Sequence, residues 1–284
     1  MRSRMIRASP FANARQLPAW PLLLCALLAT PACTLAPPRI DSQAAAHGLT
    51  KLKLSGTAFF HASYFNEGDG GNTLHVYLEG DGRPWINETK VAEDPTSNEV
   101  ISFDLMTLDG APRLLLGRPC YFGTLQEGPC HPSLWTTRRY SETVVKSMVV
   151  ALQYFLERHP YEHIIFIGHS GGGTLAMLMA PYFNAETKGV VTVAGNLDVA
   201  GWATLHHYTP LSGSLDPSKE PPLPNHIKQL HLAGAKDSRI PVWLIDRAVE
   251  TQPTAELEIV PGADHNCCWK DYWPNVVSRI STDW

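Results

Sequence analysis

The stretch HIIFIGHSGGGTLAMLMA, His163 to Ala180, constrains this chain more than any other part of it. Ile164–Ile167 is a short run of apolar, mostly β-branched residues and predicts a buried strand. Gly168-His169-Ser170-Gly171-Gly172 follows, then a small-residue helix through Ala180. A G-x-S-x-G segment between strand and helix requires a sharp turn that strains the serine backbone, and side chains at Gly168 and Gly172 would collide with neighbouring elements. Such a turn lifts the Ser170 hydroxyl above the sheet. There the Gly171 N–H and the helix dipole face a developing negative charge. The same glycines admit blander readings. Gly168–Thr174 has P-loop spacing but no lysine, and Gly171, Gly173 and Ala176 form a degenerate G-x-G-x-x-A without an obvious ribose-binding acid. A cluster that only lets helix and strand pack closely is the third. The flanking strand and helix favour the nucleophile turn.

A serine hydroxyl needs a base to take its proton, and the base needs an acid to hold its tautomer. Twelve histidines compete. His265 lies in the loop PGADH after the apolar strand LEIV, at the same sheet edge as Ser170 if the strands run parallel. His163 precedes its strand and belongs to the opposite edge. His206 and His207 lie in an irregular segment, and His169 points away from the proton it would have to take. The acid should end an intermediate strand, and Asp237 does so in HLAGAKDSRIP, with Asp198, one strand earlier, as the alternative. Asp264 reads as a loop former. A second oxyanion donor is expected in the loop Glu79-Gly80-Asp81-Gly82 after the strand TLHVYL: Asp81 N–H first, Gly82 N–H second, beside Gly171. The carboxylates of Glu79 and Asp81 must then turn away or pair, with Arg83 as the nearest cation.

The remaining elements alternate. Strands are predicted at Lys51–Leu54, Ala58–Tyr64, Thr73–Leu78, Arg113–Leu116, Ile164–Ile167, Val190–Ala194, Ile227–Ala233 and Leu257–Val260. Helices are expected at about Ser97–Leu108, from Ser141 to about His159, after Ser170, over Pro241–Val249 and over Tyr272–Ile280. Ser141 is a good N-cap, and Val144, Val145, Met148, Val149, Leu152, Phe155 and Leu156 share one face of the clearest helix. Continuously apolar strands in the second half argue for a largely parallel α/β sheet covered on both faces. The chain has 44% hydrophobic and 18% charged residues, which excludes intrinsic disorder. Its net charge of −4 and lack of a basic face exclude a nucleic-acid partner.

Residues 1–32 read as a bacterial export signal: Arg2, Arg4, Arg7 and Arg15 precede the apolar run Trp20–Ala29, and small residues Thr30 and Ala32 precede Cys33. Cys33 stands where a lipoprotein thiol is acylated, although Thr30 and Pro31 depart from the usual pattern. Simple secretion and an uncleaved anchor are the alternatives. Residues 33–50 are then a linker and 51–284 one domain. The expected location is the cell envelope, periplasmic or membrane-anchored through Cys33, and otherwise secreted. In an oxidising compartment Cys120, Cys130, Cys267 and Cys268 are disulfide candidates. Cys120–Cys130 closes a short loop and is the first choice. Cys267–Cys268 needs a vicinal ring, so pairing between the two groups is its rival. No C-x-x-C or H-E-x-x-H motif points to a metal site.

YLEGDG, GHSGGG, AGAKDSRIP and PGADHNCCW occur in the order expected of the α/β-hydrolase superfamily, which the chain resembles from about Leu54 to its C-terminus, most nearly in its bacterial lipoprotein branch. The resemblance implies an α/β-hydrolase fold with an eight-stranded, mostly parallel sheet and helices on both faces. It further implies a cofactor-free serine hydrolase acting on a carboxylic ester, thioester or amide of a small or lipid-like acyl substrate. In that reading Ser170, His265 and Asp237 form the triad. Acyl transfer to an alcohol by the same residues, or a non-catalytic envelope protein that kept the scaffold, are the rival functions. Two departures stand out: Glu79 replaces the histidine many relatives carry, and the segment between Ala194 and Ile227 is short, so any lid should be small.

Overall fold

The computed structural model describes residues 39–284, and the export-signal and Cys33 assignments lie outside the described residues. Eight strands form one sheet: β1 (Thr50–Ser55), β2 (Phe60–Asn66), β3 (Thr73–Leu78), β4 (Arg113–Leu116), β5 (His163–His169), β6 (Thr187–Val193), β7 (Lys228–Gly234) and β8 (Ala255–Val260). Their order across the sheet is β1-β2-β4-β3-β5-β6-β7-β8. β1 and β2 pair antiparallel, as do β2 and β4, and every pairing from β4 to β8 is parallel.

Helices α1 (Arg39–Ala46), α2 (Ile101–Met106), α3 (Glu142–Leu156), α4 (Gly171–Met179), α5 (Val199–Leu205), α6 (Val242–Val249) and α7 (Trp269–Asp283) cover the sheet. The Ser141 hydroxyl caps α3 by accepting from the Val144 N–H, and the expected apolar face of α3 is buried from Val144 to Phe155. All nine residues of α4 are buried, which suits its small and apolar composition. Among the described residues no helix is long and apolar enough to cross a membrane.

α5 forms where no helix is expected, α7 starts at Trp269 rather than Tyr272, and two elements of the first half of the chain also differ from the expectation. Residues 39–46, assigned to the 33–50 linker, form α1, which docks by burying Ile40 and Ala44. Asp41 holds it there, accepting from the Tyr64 hydroxyl at 2.5 Å and pairing with Lys51 at 2.8 Å. The helix expected at Ser97–Leu108 contracts to α2, because Thr96 and Ser97 serve turn hydrogen bonds instead.

After β3 the chain crosses to β4 on one side and then returns to β5 on the other. Strand order reverses around β3, and a crevice opens at the carboxyl ends of strands flanking such a switch. The loops after β3 and β5, which carry Asp81 and Ser170, both open there.

Candidate active site

Ser170 follows β5 directly and sits at φ 53°, ψ −119°, a strained conformation for a non-glycine residue. Its backbone is fixed on both sides. The N–H donates to Val193 at 2.9 Å, and the carbonyl accepts from Gly173 at 2.9 Å and Asn196 at 3.1 Å. The glycines are needed as expected: a Cβ on Gly172 would lie 2.0 Å from the Leu78 carbonyl oxygen, and one on Gly168 2.2 Å from that of Gly172.

The three residues picked from sequence order meet at one point. His265 Nε2 lies 3.0 Å from Ser170 Oγ, and Nδ1 lies 2.8 Å from Asp237 Oδ2. A carboxylate only accepts, so Nδ1–H donates to Asp237 and Nε2 presents its lone pair to the serine hydroxyl. Asp237 Oδ1 accepts from the N–H groups of Arg239 at 2.8 Å and Ile240 at 2.9 Å, so the whole carboxylate is anchored. Burial lowers the His265 pKa from its ordinary value, a shift the Asp237 hydrogen bond opposes. The imidazole is therefore neutral, and able to accept a proton, near neutral pH.

The alternative acid, Asp198, is engaged elsewhere: Oδ1 caps α5 through the Gly201 N–H at 2.7 Å, and Oδ2 pairs with Arg247. Asp264 forms its loop, accepting from Asn266 and Cys267 N–H. His169 does point away from Ser170. Its Nε2–H donates to the His265 carbonyl at 2.8 Å, and its buried Nδ1, without a hydrogen-bond partner among the described residues, lies 3.5 Å from Glu79 Oε1.

The β3 loop lies against the serine turn. A Cβ on Gly80 would come 3.3 Å from Ser170 Cβ, and one on Gly171 2.3 Å from Asp81 Oδ1. The N–H groups of Gly171, Asp81 and Gly82 have no hydrogen-bond partner among the described residues, which leaves all three free to donate to a bound oxygen. Glu79 turns away, accepting from Gly80 N–H at 2.9 Å and from Ser102 N–H in the first turn of α2 at 2.8 Å.

The partner expected for Asp81 needs correction. Arg83 does not bind it; Arg118 at 2.7 Å, Arg139 at 2.7 Å and the Tyr140 hydroxyl at 2.7 Å do. Burial pushes the Asp81 carboxyl up, but Arg139 and Arg118 outweigh it and hold the group well below the usual carboxylate range. Sequence distance hid these partners, since Arg118 follows β4 by two residues and touches Asp81 only because β4 lies beside β3. The available signal was three arginines, Arg118, Arg138 and Arg139, set between the apolar RLLL and the apolar α3.

Both cysteine pairs close locally, Cys120–Cys130 as expected and Cys267–Cys268 against the stated objection to a vicinal ring. Cys268 occupies a left-handed φ of 76° just before α7, so this linkage sits two residues beyond His265. Of the loop aromatics, Tyr121, Phe122, Trp135 and Trp269 are buried as packing, while Trp202 and Tyr208 cluster with their rings 5.2 Å apart. A cleft of about 620 Å³ opens beside α5, lined in part by Val199, Ala203, Tyr208 and Leu211.

A family model described as alpha/beta hydrolase fold matches residues 126–209, a span that holds the serine turn but ends before Asp237 and His265. No curated protein matches the sequence. An esterase from Pyrococcus furiosus superposes with a TM-score of 0.60 at 12% identity, over 84% of this chain and 91% of its own. A protein from Agrobacterium tumefaciens described as an alpha/beta hydrolase gives 0.56 at 14% identity, over 82% and 95%. A serine hydrolase without lid from Xanthomonas campestris gives 0.53 at 11%, over 82% and 92%. The fold is that of the α/β hydrolases, and the expected resemblance to that superfamily holds.

Proposed function

From the α/β-hydrolase fold as premise, we propose that this chain is a serine hydrolase that cleaves a carboxylic ester through an acyl-enzyme, with Ser170 as nucleophile, His265 as base and acid, and Asp237 as orienting carboxylate. The observation that carries this reading is the unbroken path from Ser170 Oγ to His265 at 3.0 Å and on to Asp237 at 2.8 Å, at a serine held in a strained turn.

In the first step the Oγ–carbonyl carbon bond forms and the hydroxyl proton passes to His265 Nε2. The carbonyl π pair moves onto oxygen, where the N–H groups of Gly171 and of Asp81 or Gly82 receive it. Collapse breaks the bond to the alkoxide, which leaves with the proton from His265. Water then repeats the sequence on the acyl-enzyme and restores Ser170. Asp237 holds and orients the imidazolium that forms twice per turnover.

The test is labelling of the full chain with a fluorophosphonate, beside Ser170→Ala and Asp237→Asn. The expected result is labelling abolished by Ser170→Ala and slowed by Asp237→Asn. Absence of labelling in folded protein overturns the reading.

For residues 1–33 we propose export and acylation at Cys33, a reading supported by the Arg-rich start and apolar run and consistent with disulfides that require an oxidising compartment. Incorporation of labelled palmitate, lost in Cys33→Ser, is the expected result; label retained in that variant overturns it.

A further inference from the structure

Resting on the reading of Ser170 as nucleophile, we propose that Arg118 and Tyr121 are positioning residues that polarise, from their carbonyl ends, the two candidate oxyanion peptides of the β3 loop. The free N–H groups of Asp81 and Gly82 each belong to a peptide unit whose oxygen is engaged on the far side. The Gly80 carbonyl, in the same peptide as the Asp81 N–H, accepts from Arg118 at 3.2 Å. The Asp81 carbonyl, in the same peptide as the Gly82 N–H, accepts from the Tyr121 hydroxyl at 3.0 Å. A hydrogen bond at the oxygen draws density from the nitrogen and makes its N–H a stronger donor. A guanidinium does so with a formal charge.

The surroundings amplify the effect. Arg118 is only 1% exposed, so it acts where water does not dilute the interaction. The same guanidinium is fixed by Asp81 Oδ1 at 2.7 Å and by the Arg139 carbonyl at 2.8 Å, which prevents it from following the loop away. An unpaired Asp81 carboxylate beside Gly171 would repel an oxyanion. Bound by Arg118, Arg139 and Tyr140, it becomes the anchor that orients Arg118 instead. Tyr121 is kept a donor, because burial pushes its phenol up to about 12. The carboxylates of Asp81 and Glu79 match the two guanidiniums in number, so what reaches the oxyanion is directed polarisation through the peptide units.

The test uses the full chain with 4-nitrophenyl butyrate as substrate and a carbonyl-¹³C aryl trifluoromethyl ketone as oxyanion probe. Tyr121→Phe removes one hydroxyl at constant shape. Arg118→Lys keeps a cation for Asp81 but is shorter and loses Nη2, whose bond to the Arg139 carbonyl sets Nη1 against the Gly80 oxygen. We expect kcat to fall about fivefold for Tyr121→Phe and about fiftyfold for Arg118→Lys, short of the roughly 10²–10³ for losing an oxyanion donor outright. KM should stay within about twofold, because the interaction strengthens only in the transition state. The hemiketal oxyanion pKa should rise by about one unit for each tenfold loss. A merely structural role would lower the melting temperature or the active fraction without moving that pKa. Folded variants with wild-type kcat and hemiketal pKa overturn the proposal and leave the Ser170 reading intact. Wild-type protein that forms no hemiketal and hydrolyses nothing overturns both.

Discussion

Among the described residues two aspartate–histidine pairs form, and one of them adjoins a serine hydroxyl. His265 Nδ1 meets Asp237 at 2.8 Å, and His75 Nδ1 meets Asp109 at 2.6 Å. By distance alone the second is the better pair. Asp109 also accepts from the Tyr77 hydroxyl at 2.5 Å and from Ala111 N–H, and the His75 side chain is 3% exposed against 11% for His265. The His75 pair lies toward the amino end of β3, where a parallel sheet opens no crevice. The His265 pair follows the carboxyl ends of β7 and β8, beside a serine that its turn has lifted clear. An acid behind an imidazole is therefore a packing solution as readily as a catalytic one; the sheet edge and the strained serine set the two apart.

Several substitutions can break this contrast. The largest effect should come from Ser170→Ala, which is expected to lower kcat on the order of 10⁶ if the triad acts as a unit, read by single-turnover hydrolysis of 4-nitrophenyl butyrate. Asp237→Asn should cost about 10⁴ by presenting the wrong tautomer. Asp109→Asn should leave kcat within about threefold yet lower unfolding free energy in urea by about 1–3 kcal/mol, as a buried acceptor loses its match. Equal kcat losses from the two asparagines would dissolve the distinction.

Protonation sharpens it further. Burial lowers both His61 and His231 to about 4 from the ordinary 6.5. Between those values the unfolded chain takes up a proton at each that the native chain refuses. Stability should then fall as pH drops through that window, by on the order of 3 kcal/mol for each histidine, measured as urea midpoints against pH. The smallest effect is kinetic. His265 must be neutral to act and its pKa is lowered, so the acid limb of kcat/KM should fall below pH 6.5. A limb above that value would mean the Asp237 bond outweighs burial.

How far the sequence carried depended on how local each cause was. β3 and β4 match their expected limits because a short apolar run bounded by turn residues sets both ends, and α3 matches because cap and apolar face agree. Ser170, Asp237 and His265 were legible together because strand order places all three loops on one edge. α1 was missed because RIDSQAAA carries only Ile40 and a few alanines as apolar signal, and its stability comes from docking and from Asp41 contacts supplied elsewhere. Arg118 and Arg139 were missed because they lie 37 and 58 residues from Asp81. Their proximity exists only once β4 has crossed to the far side of β3. The vicinal pairing of Cys267 and Cys268 is not legible in sequence, because it goes with a left-handed backbone at Cys268, just before α7.

The outer strands carry a consequence for the protein in concentrated solution. β1 reads TKLKLS and β8 reads AELEIV, so each open rim of the sheet alternates apolar residues with charges of one sign. Lys51 and Lys53 pair with Asp41 and Glu127, and Glu256 and Glu258 with Arg279. A second molecule seeking to add a strand at either rim would have to displace those pairs before any ladder could form. The sheet is therefore self-limiting, and neutralising Lys51 and Lys53 together should show first as a lower solubility ceiling, with hydrolysis untouched.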